Sequence, residues 1–117
     1  MTDTIFALSS GSPPAGIAVV RISGPQASEA LRALAGRLPE PRRASAVRLR
    51  DPADGALLDR ALALWLPGPG TATGEDVAEL HLHGGRAVIA AVEGALARLP
   101  GLYRAEAGAF TDRKSVV

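Results

Sequence analysis

The chain has 117 residues and a mass of 12.0 kDa, one domain's worth of polypeptide. Apolar residues make up 47% and aromatics only 3%, so a core is attainable but has to be assembled from Ala, Leu, Val and Ile. The formal net charge of +1 gives no reason to expect a polyanion-binding surface or a disordered tail, and the absence of cysteine excludes disulfides, thiolate metal sites and cysteine nucleophiles within these residues. No apolar run approaches the roughly 18 residues of a membrane-crossing helix. Met1–Thr4 lacks the basic start and long apolar run of a secretory leader. No membrane association is expected, and the expected compartment is the cytoplasm.

In chain order, Thr4–Leu8 is a short apolar run and reads as a first strand. Ser9–Ala15 (SSGSPPA) is turn chemistry, because Gly11 and Pro13-Pro14 do not suit a sheet interior. Gly16–Ser23 (GIAVVRIS) is β-branched and apolar on both faces, as a buried central strand is. Gly24-Pro25 then introduces a helix over Gln26–Ala35, with Ala27, Ala30, Leu31 and Leu34 at helical spacing and Gly36 as the left-handed residue that ends it. Arg37–Arg43 contains two prolines and reads as a loop.

Ala44–Arg50 alternates, with Val47 and Leu49 on one side and Arg48 and Arg50 on the other. The DPADG turn at Asp51–Gly55 leads back into Leu57–Leu66, which is read as the returning strand of a hairpin, although its Leu and Ala content also suits a helix. Pro67–Asp76 is a Gly/Pro/Thr loop of about ten residues, a length at which loops are often functional. Val77–His83 alternates strictly: Val77, Glu79, His81 and His83 share one face, and Ala78, Leu80 and Leu82 the other. Arg86–Leu99 is the clearest helix, with Val88, Ile89, Val92, Leu96 and Leu99 on one stripe. Pro100-Gly101 ends it, Leu102–Ala107 reads as a last strand, and Thr111 suits a helix cap. The sum is an α+β fold, a mixed β-sheet with two main helices on one face.

Three features carry candidate chemistry. Glu79, His81 and His83 stand at i, i+2 and i+4 of one strand and can be read as a zinc or iron site of a metal-dependent enzyme, or simply as a polar strand face. Gly68–Gly74 resembles a nucleotide loop only in its glycines. It opens no helix, and no Gly-Lys-Ser/Thr run exists in the chain. Arg21 interrupts the apolar run between Val20 and Ile22. A guanidinium there needs a partner. Two readings stay open: an internal ion pair to Glu79, or an anchor for an anionic or heteroaromatic ligand. Ser9, Ser10 and Ser12 have no visible base partner, so no hydrolytic triad is read, and one Trp, one Tyr and two Phe supply no stacking platform for single-stranded nucleic acid.

These blocks together resemble the N-terminal domain of the MnmE/TrmE family of bacterial tRNA modification GTPases. The matching runs are Thr4-Ile5-Phe6-Ala7, Gly16–Gly24 (GIAVVRISG), Ala63–Pro69 (ALWLPGP), Thr73–Leu80 (TGEDVAEL) and His83-Gly84-Gly85, and the likeness continues through Ala107–Thr111. The resemblance implies a fold like the folate-binding domain of the aminomethyltransferase type. It implies binding of a tetrahydrofolate derivative, 5-formyltetrahydrofolate or a close analogue, and homodimerisation through this domain. It places Arg21, in the R-I-S-G block, and Glu79, in the E-D-V-x-E-L block, at folate-contacting positions, with no catalytic residue and no metal ligand; His83-Gly84-Gly85 corresponds to turn and helix-start geometry. The family's full-length protein modifies the wobble uridine of certain tRNAs with a flavoprotein partner, MnmG/GidA. It uses GTP, K+ and Mg2+ in a G domain that has no counterpart in these residues. The end departs from the family pattern, since Ala109 stands where the family carries a glutamate. Residues 1–112 are therefore read as the folate-binding domain and residues 113–117 as a non-matching tail, and the chain as a fragment inactive on its own. A structural dimerisation module that no longer binds folate is the other reading.

Overall fold

The computed structural model describes residues 3–9, 17–106 and 110. The turn expected over Ser9–Ala15, the cap expected at Thr111 and the 113–117 tail lie wholly or mostly outside these residues. The element order is β1 (Thr4–Leu8), β2 (Ala18–Ser23), α1 (Ala27–Ala35), β3 (Ser45–Arg50), β4 (Leu57–Leu66), β5 (Val77–Leu82), α2 (Arg86–Ala97) and β6 (Leu102–Arg104). The six strands form one sheet in the order β3-β4-β5-β2-β1-β6. Every neighbouring pair is antiparallel except β1 and β6. β5 and β6 consequently run the same way, joined by α2 and separated by β2 and β1, as a split crossover requires. The fold is α+β.

Strand alternation sorts the side chains onto two faces. Ala18, Val20 and Ile22 of β2, Ala61, Ala63 and Trp65 of β4, and Ala78, Leu80 and Leu82 of β5 are buried in one core with Ala27, Ala30, Leu31 and Leu34 of α1 and Ile89, Val92 and Leu96 of α2. Phe6, Val47, Leu49 and Leu102 complete that layer. The segment Leu57–Leu66 is a ten-residue strand and not a helix. Its alternate residues Ala61, Ala63 and Trp65 are buried while Leu62 is exposed, a period of two that a helix cannot produce. The last strand and the second helix are shorter than their sequence patterns. β6 stops at Arg104, and Leu99 packs on the core from the turn after α2.

Two junctions position the rest. Gly36 closes α1 at φ 81° with its N–H on the Arg32 carbonyl, the left-handed ending expected of it. The entry to α1 is capped from a distance. The buried Thr4 Oγ1 of β1 accepts a hydrogen bond from the Gln26 N–H at 2.8 Å, which no side chain of the helix itself provides. Gly24, at φ 140°, lies so close to β1 that a Cβ there would come within 2.6 Å of the Thr4 Cα, so this turn admits only glycine.

Candidate functional site

Neither α1 nor α2 lies on the second face of the sheet. Phe110 packs on Ile5 and Ala7 on the β1 side. The Pro67–Asp76 loop reaches the other end through Ser23, whose hydroxyl donates to Glu75 Oε1 at 2.9 Å and lies 2.7 Å from Thr73 Oγ1. Having only one hydrogen to give, Ser23 accepts from Thr73. The same loop is pinned by the Gly68 N–H on Asp76 Oδ1 (2.9 Å), by the Thr71 hydroxyl on the Glu75 carbonyl (2.6 Å) and by the Gly24 N–H on the Asp76 carbonyl (3.0 Å). Its glycines and prolines therefore serve a latched connection between β4 and β5.

Between these two covers lies a polar cluster in the middle of the sheet. Register places Ala7, Arg21, Glu79 and Leu64 side by side in one row across β1, β2, β5 and β4, with His81 beside Leu62 in the next. Arg21 donates Nε and Nη2 to Glu79 Oε2 at 2.9 and 2.7 Å, and His81 Nε2 lies 3.0 Å from Glu79 Oε1. Burial of Glu79 alone would raise its carboxyl pKa, but the hydrogen bonds from His81 and Arg21, with their charges, outweigh burial and hold it below the ordinary value. An ionised Glu79 assigns the His81 Nε2 as donor, which in the neutral ring leaves Nδ1 as an acceptor.

Of the two readings of Arg21, the internal ion pair is the one this arrangement shows. The ion pair to Glu79 exists, and the pair still faces solvent: the Arg21 side chain is 31% exposed and that of Glu79 14%. Arg21 uses two of its five N–H donors on Glu79, and Glu79 Oε1 keeps acceptor capacity beyond His81. The cluster thus offers a flat object laid on the sheet both donors and an acceptor, with the half-buried Leu64 and the exposed Leu62 beside them.

The metal reading of Glu79, His81 and His83 does not survive the geometry. His83 lies beyond the end of β5. Its N–H is held by Asp59 Oδ2 at 2.8 Å and its Nδ1 lies 3.0 Å from the Arg60 carbonyl, so its ring belongs to β4 and not to the Glu79–His81 pair. Among the described residues no group of three or more His, Asp and Glu side chains is arranged to hold a metal ion. The alternation that grouped the three holds only while the strand continues, and Gly84-Gly85 ends it.

Comparison with known proteins sets this site in a family. The family model described as "GTP-binding protein TrmE N-terminus" matches residues 4–116. The chain is 74% identical over 113 residues to the tRNA modification GTPase MnmE of Novosphingobium aromaticivorans, covering 97% of this chain and 26% of that protein. It is 71% identical over 114 residues to the protein of that name from Rhizorhabdus wittichii, covering 96% and 26%. With the one from Methylorubrum populi it shares 65% over 111 residues, covering 95% and 25%. The chain spans about a quarter of the length of these curated relatives. A six-stranded sheet with Arg21 and Glu79 on the face opposite α1 and α2 is thus the architecture of a chain that belongs to the family of TrmE N-terminal domains, the N-terminal part of the tRNA modification GTPase MnmE.

Proposed function

We propose that this domain binds a reduced folate, a tetrahydrofolate derivative of the 5-formyltetrahydrofolate kind, on the sheet face that carries Arg21 and Glu79 and pairs there with a second copy of itself. The whole protein would then use the bound one-carbon unit in modifying the wobble uridine of tRNA together with the flavoprotein MnmG/GidA, in the cytoplasm. GTP, K+ and Mg2+ would act in the G domain of that longer protein. The observation that carries the reading is the Arg21–Glu79 pair, accessible in the middle of the sheet with donors and an acceptor to spare. A pterin ring presents an amino-pyrimidinone edge, whose N–H groups a carboxylate accepts and whose ring nitrogens and carbonyl a guanidinium or imidazole can meet.

The residues fit this ligand class in three respects. Glu79 is held ionised and so can only accept. Arg21 is fixed by Glu79 and does not need to be ordered when the ligand arrives. Leu62 and Leu64 give the ring an apolar edge to cover. A reduced folate supplies an activated one-carbon unit; these residues orient its ring and carry no step of the transfer. No membrane attachment is part of the proposal, and no helix among the described residues is long and apolar enough to cross a membrane.

The test is a calorimetric titration of the chain with 5-formyltetrahydrofolate beside Arg21→Ala. Saturable binding at one site per chain is expected, weakened at least tenfold by the substitution, since a hydrogen bond to a charged group contributes about 1.5–3 kcal/mol. Heats no larger than dilution from a folded wild-type chain would refute folate binding by this domain and leave the dimerisation module as the surviving reading.

A further inference from the structure

β3 is an edge strand, and Ala46, Arg48 and Arg50 point away from the core and are exposed. The hairpin register sets Arg48 directly opposite Arg60 of β4, on the same face. Like charges in that position repel and destabilise an antiparallel pair. Neither guanidinium lies within ion-pair distance of a carboxylate among the described residues, whereas Arg21, Arg32, Arg43, Arg98 and Arg104 all do. Arg37 follows the end of α1, and Arg50 Nη1 donates only to the Gly55 carbonyl, at 3.1 Å.

Arg37, Arg48, Arg50, Arg60 and His83 line one open groove of about 900 Å³ that runs along this edge. The carboxylate in its lining, Asp51, is already engaged by Arg98. None of Arg21, Glu79 and His81 borders the groove, although Leu62, beside His81, does, so the groove adjoins the cluster described above without including its charged pair. The net charge of +1 averages this basic edge against acidic residues elsewhere and conceals it.

We propose that the arginine-lined groove along β3 and β4 binds the phosphodiester backbone of RNA. The proposal rests on the reading that this chain serves tRNA modification. Planar guanidinium forks match phosphate oxygens, and a bound phosphate relieves the repulsion that the Arg48–Arg60 register builds in. No Phe, Tyr or Trp lines the groove, so it offers bases no stacking partner and holds the backbone without regard to sequence. Such contacts position an RNA, and selection of the nucleotide falls to other parts of the longer protein.

The experiment is fluorescence anisotropy of a labelled, unmodified tRNA transcript carrying a wobble uridine, titrated with the 117-residue chain across about 50 to 200 mM KCl. The informative variant is Arg48→Glu. It places a carboxylate opposite Arg60 and turns a repelling pair into an attracting one, so it folds at least as well as wild type. Binding that weakens steeply with salt is expected for wild type. For Arg48→Glu a loss of about tenfold at the low-salt end and a shallower salt slope are expected, because each phosphate contact adds close to one unit to that slope. Arg32→Gln, outside the groove, should change the affinity less than about twofold.

An unaltered affinity and slope for Arg48→Glu, no binding by folded wild-type chain at the low-salt end, or equally tight binding of poly-L-glutamate would each overturn the proposal. Titration of the same variant with 5-formyltetrahydrofolate separates the two readings. Arg48→Glu should bind folate as wild type does, and Arg21→Ala should bind tRNA as wild type does.

Discussion

Glu79 has two partners, and they set how it responds to acid. Its carboxyl pKa is displaced downward because His81 and Arg21 outweigh its burial. A carboxyl whose pKa is lower folded than unfolded contributes stability that is fully present above the unfolded value, near 4.5, and is lost as pH falls through the folded value. Asp51 is displaced the same way, first by the backbone N–H of Ala53 and, against its slight burial, by Arg98. Acid therefore weakens the fold at both residues, and only a difference measurement isolates Glu79. Between about pH 5 and about pH 3 the melting temperature of wild type should fall more steeply than that of Glu79→Gln, which has no proton to gain there. Parallel curves for the two proteins would mean that the ion pair contributes nothing to the pH dependence. Arg21 was legible as an anomaly in the sequence because a charge in an apolar strand needs a partner, and the partner named from the sequence is the one found. His81 was legible as a strand-face residue and as a candidate metal ligand, and not as the partner of Glu79. Its bond to Glu79 depends on a rotamer that no spacing specifies.

At the scale of elements, apolar runs bounded by turn residues located β1, β2 and β6, and period-two or period-3.6 patterns located β3, β4, β5, α1 and α2, which bury one face and expose the other. What those patterns lack is any record of which element lies beside which. The cap of α1 is the clearest case. Its acceptor, Thr4, precedes Gln26 by 22 residues and became a neighbour only when β1 paired with β2. Read locally, Thr4 was a strand residue and nothing more. Thr4→Val keeps the shape and removes the acceptor, leaving the Gln26 N–H without it in a part-buried place. Urea unfolding should show a loss of about 1–2 kcal/mol with an unchanged m value. A midpoint equal to that of wild type would mean that the helix start is satisfied by other means. The Arg48–Arg60 opposition was hidden for the same reason. It needs the hairpin register, and the bulge between Leu49 and Arg50 that adjusts the register cannot be counted from the DPADG turn.

For the molecule as a whole, the asymmetry of the sheet carries the argument. Among the described residues, α1 and α2 cover one face, while the Pro67–Asp76 loop and Phe110 lie at the margins of the other. Between them, Leu62 is 38% exposed and Leu64 and Leu66 are half-buried, in rows with Glu79, His81 and Val77. A strip of this kind mixes apolar side chains with a charged pair that is already matched, so covering it removes apolar surface from water without stranding a charge. A second copy laid on the same strip would meet an identical, self-complementary surface, as a two-fold interface requires. It would also narrow the open sheet face above Arg21 and Glu79 into a cleft, so folate binding and self-association should reinforce each other. Sedimentation equilibrium should therefore give a mass that rises with concentration from 12.0 kDa toward twice that value, at lower concentration when 5-formyltetrahydrofolate is present. Leu62→Lys, at an exposed position where the fold loses little, should hold the chain at the monomer mass. A wild-type chain that stays monomeric with and without the folate would mean that the uncovered strip is closed by another part of the longer protein and not by its own copy.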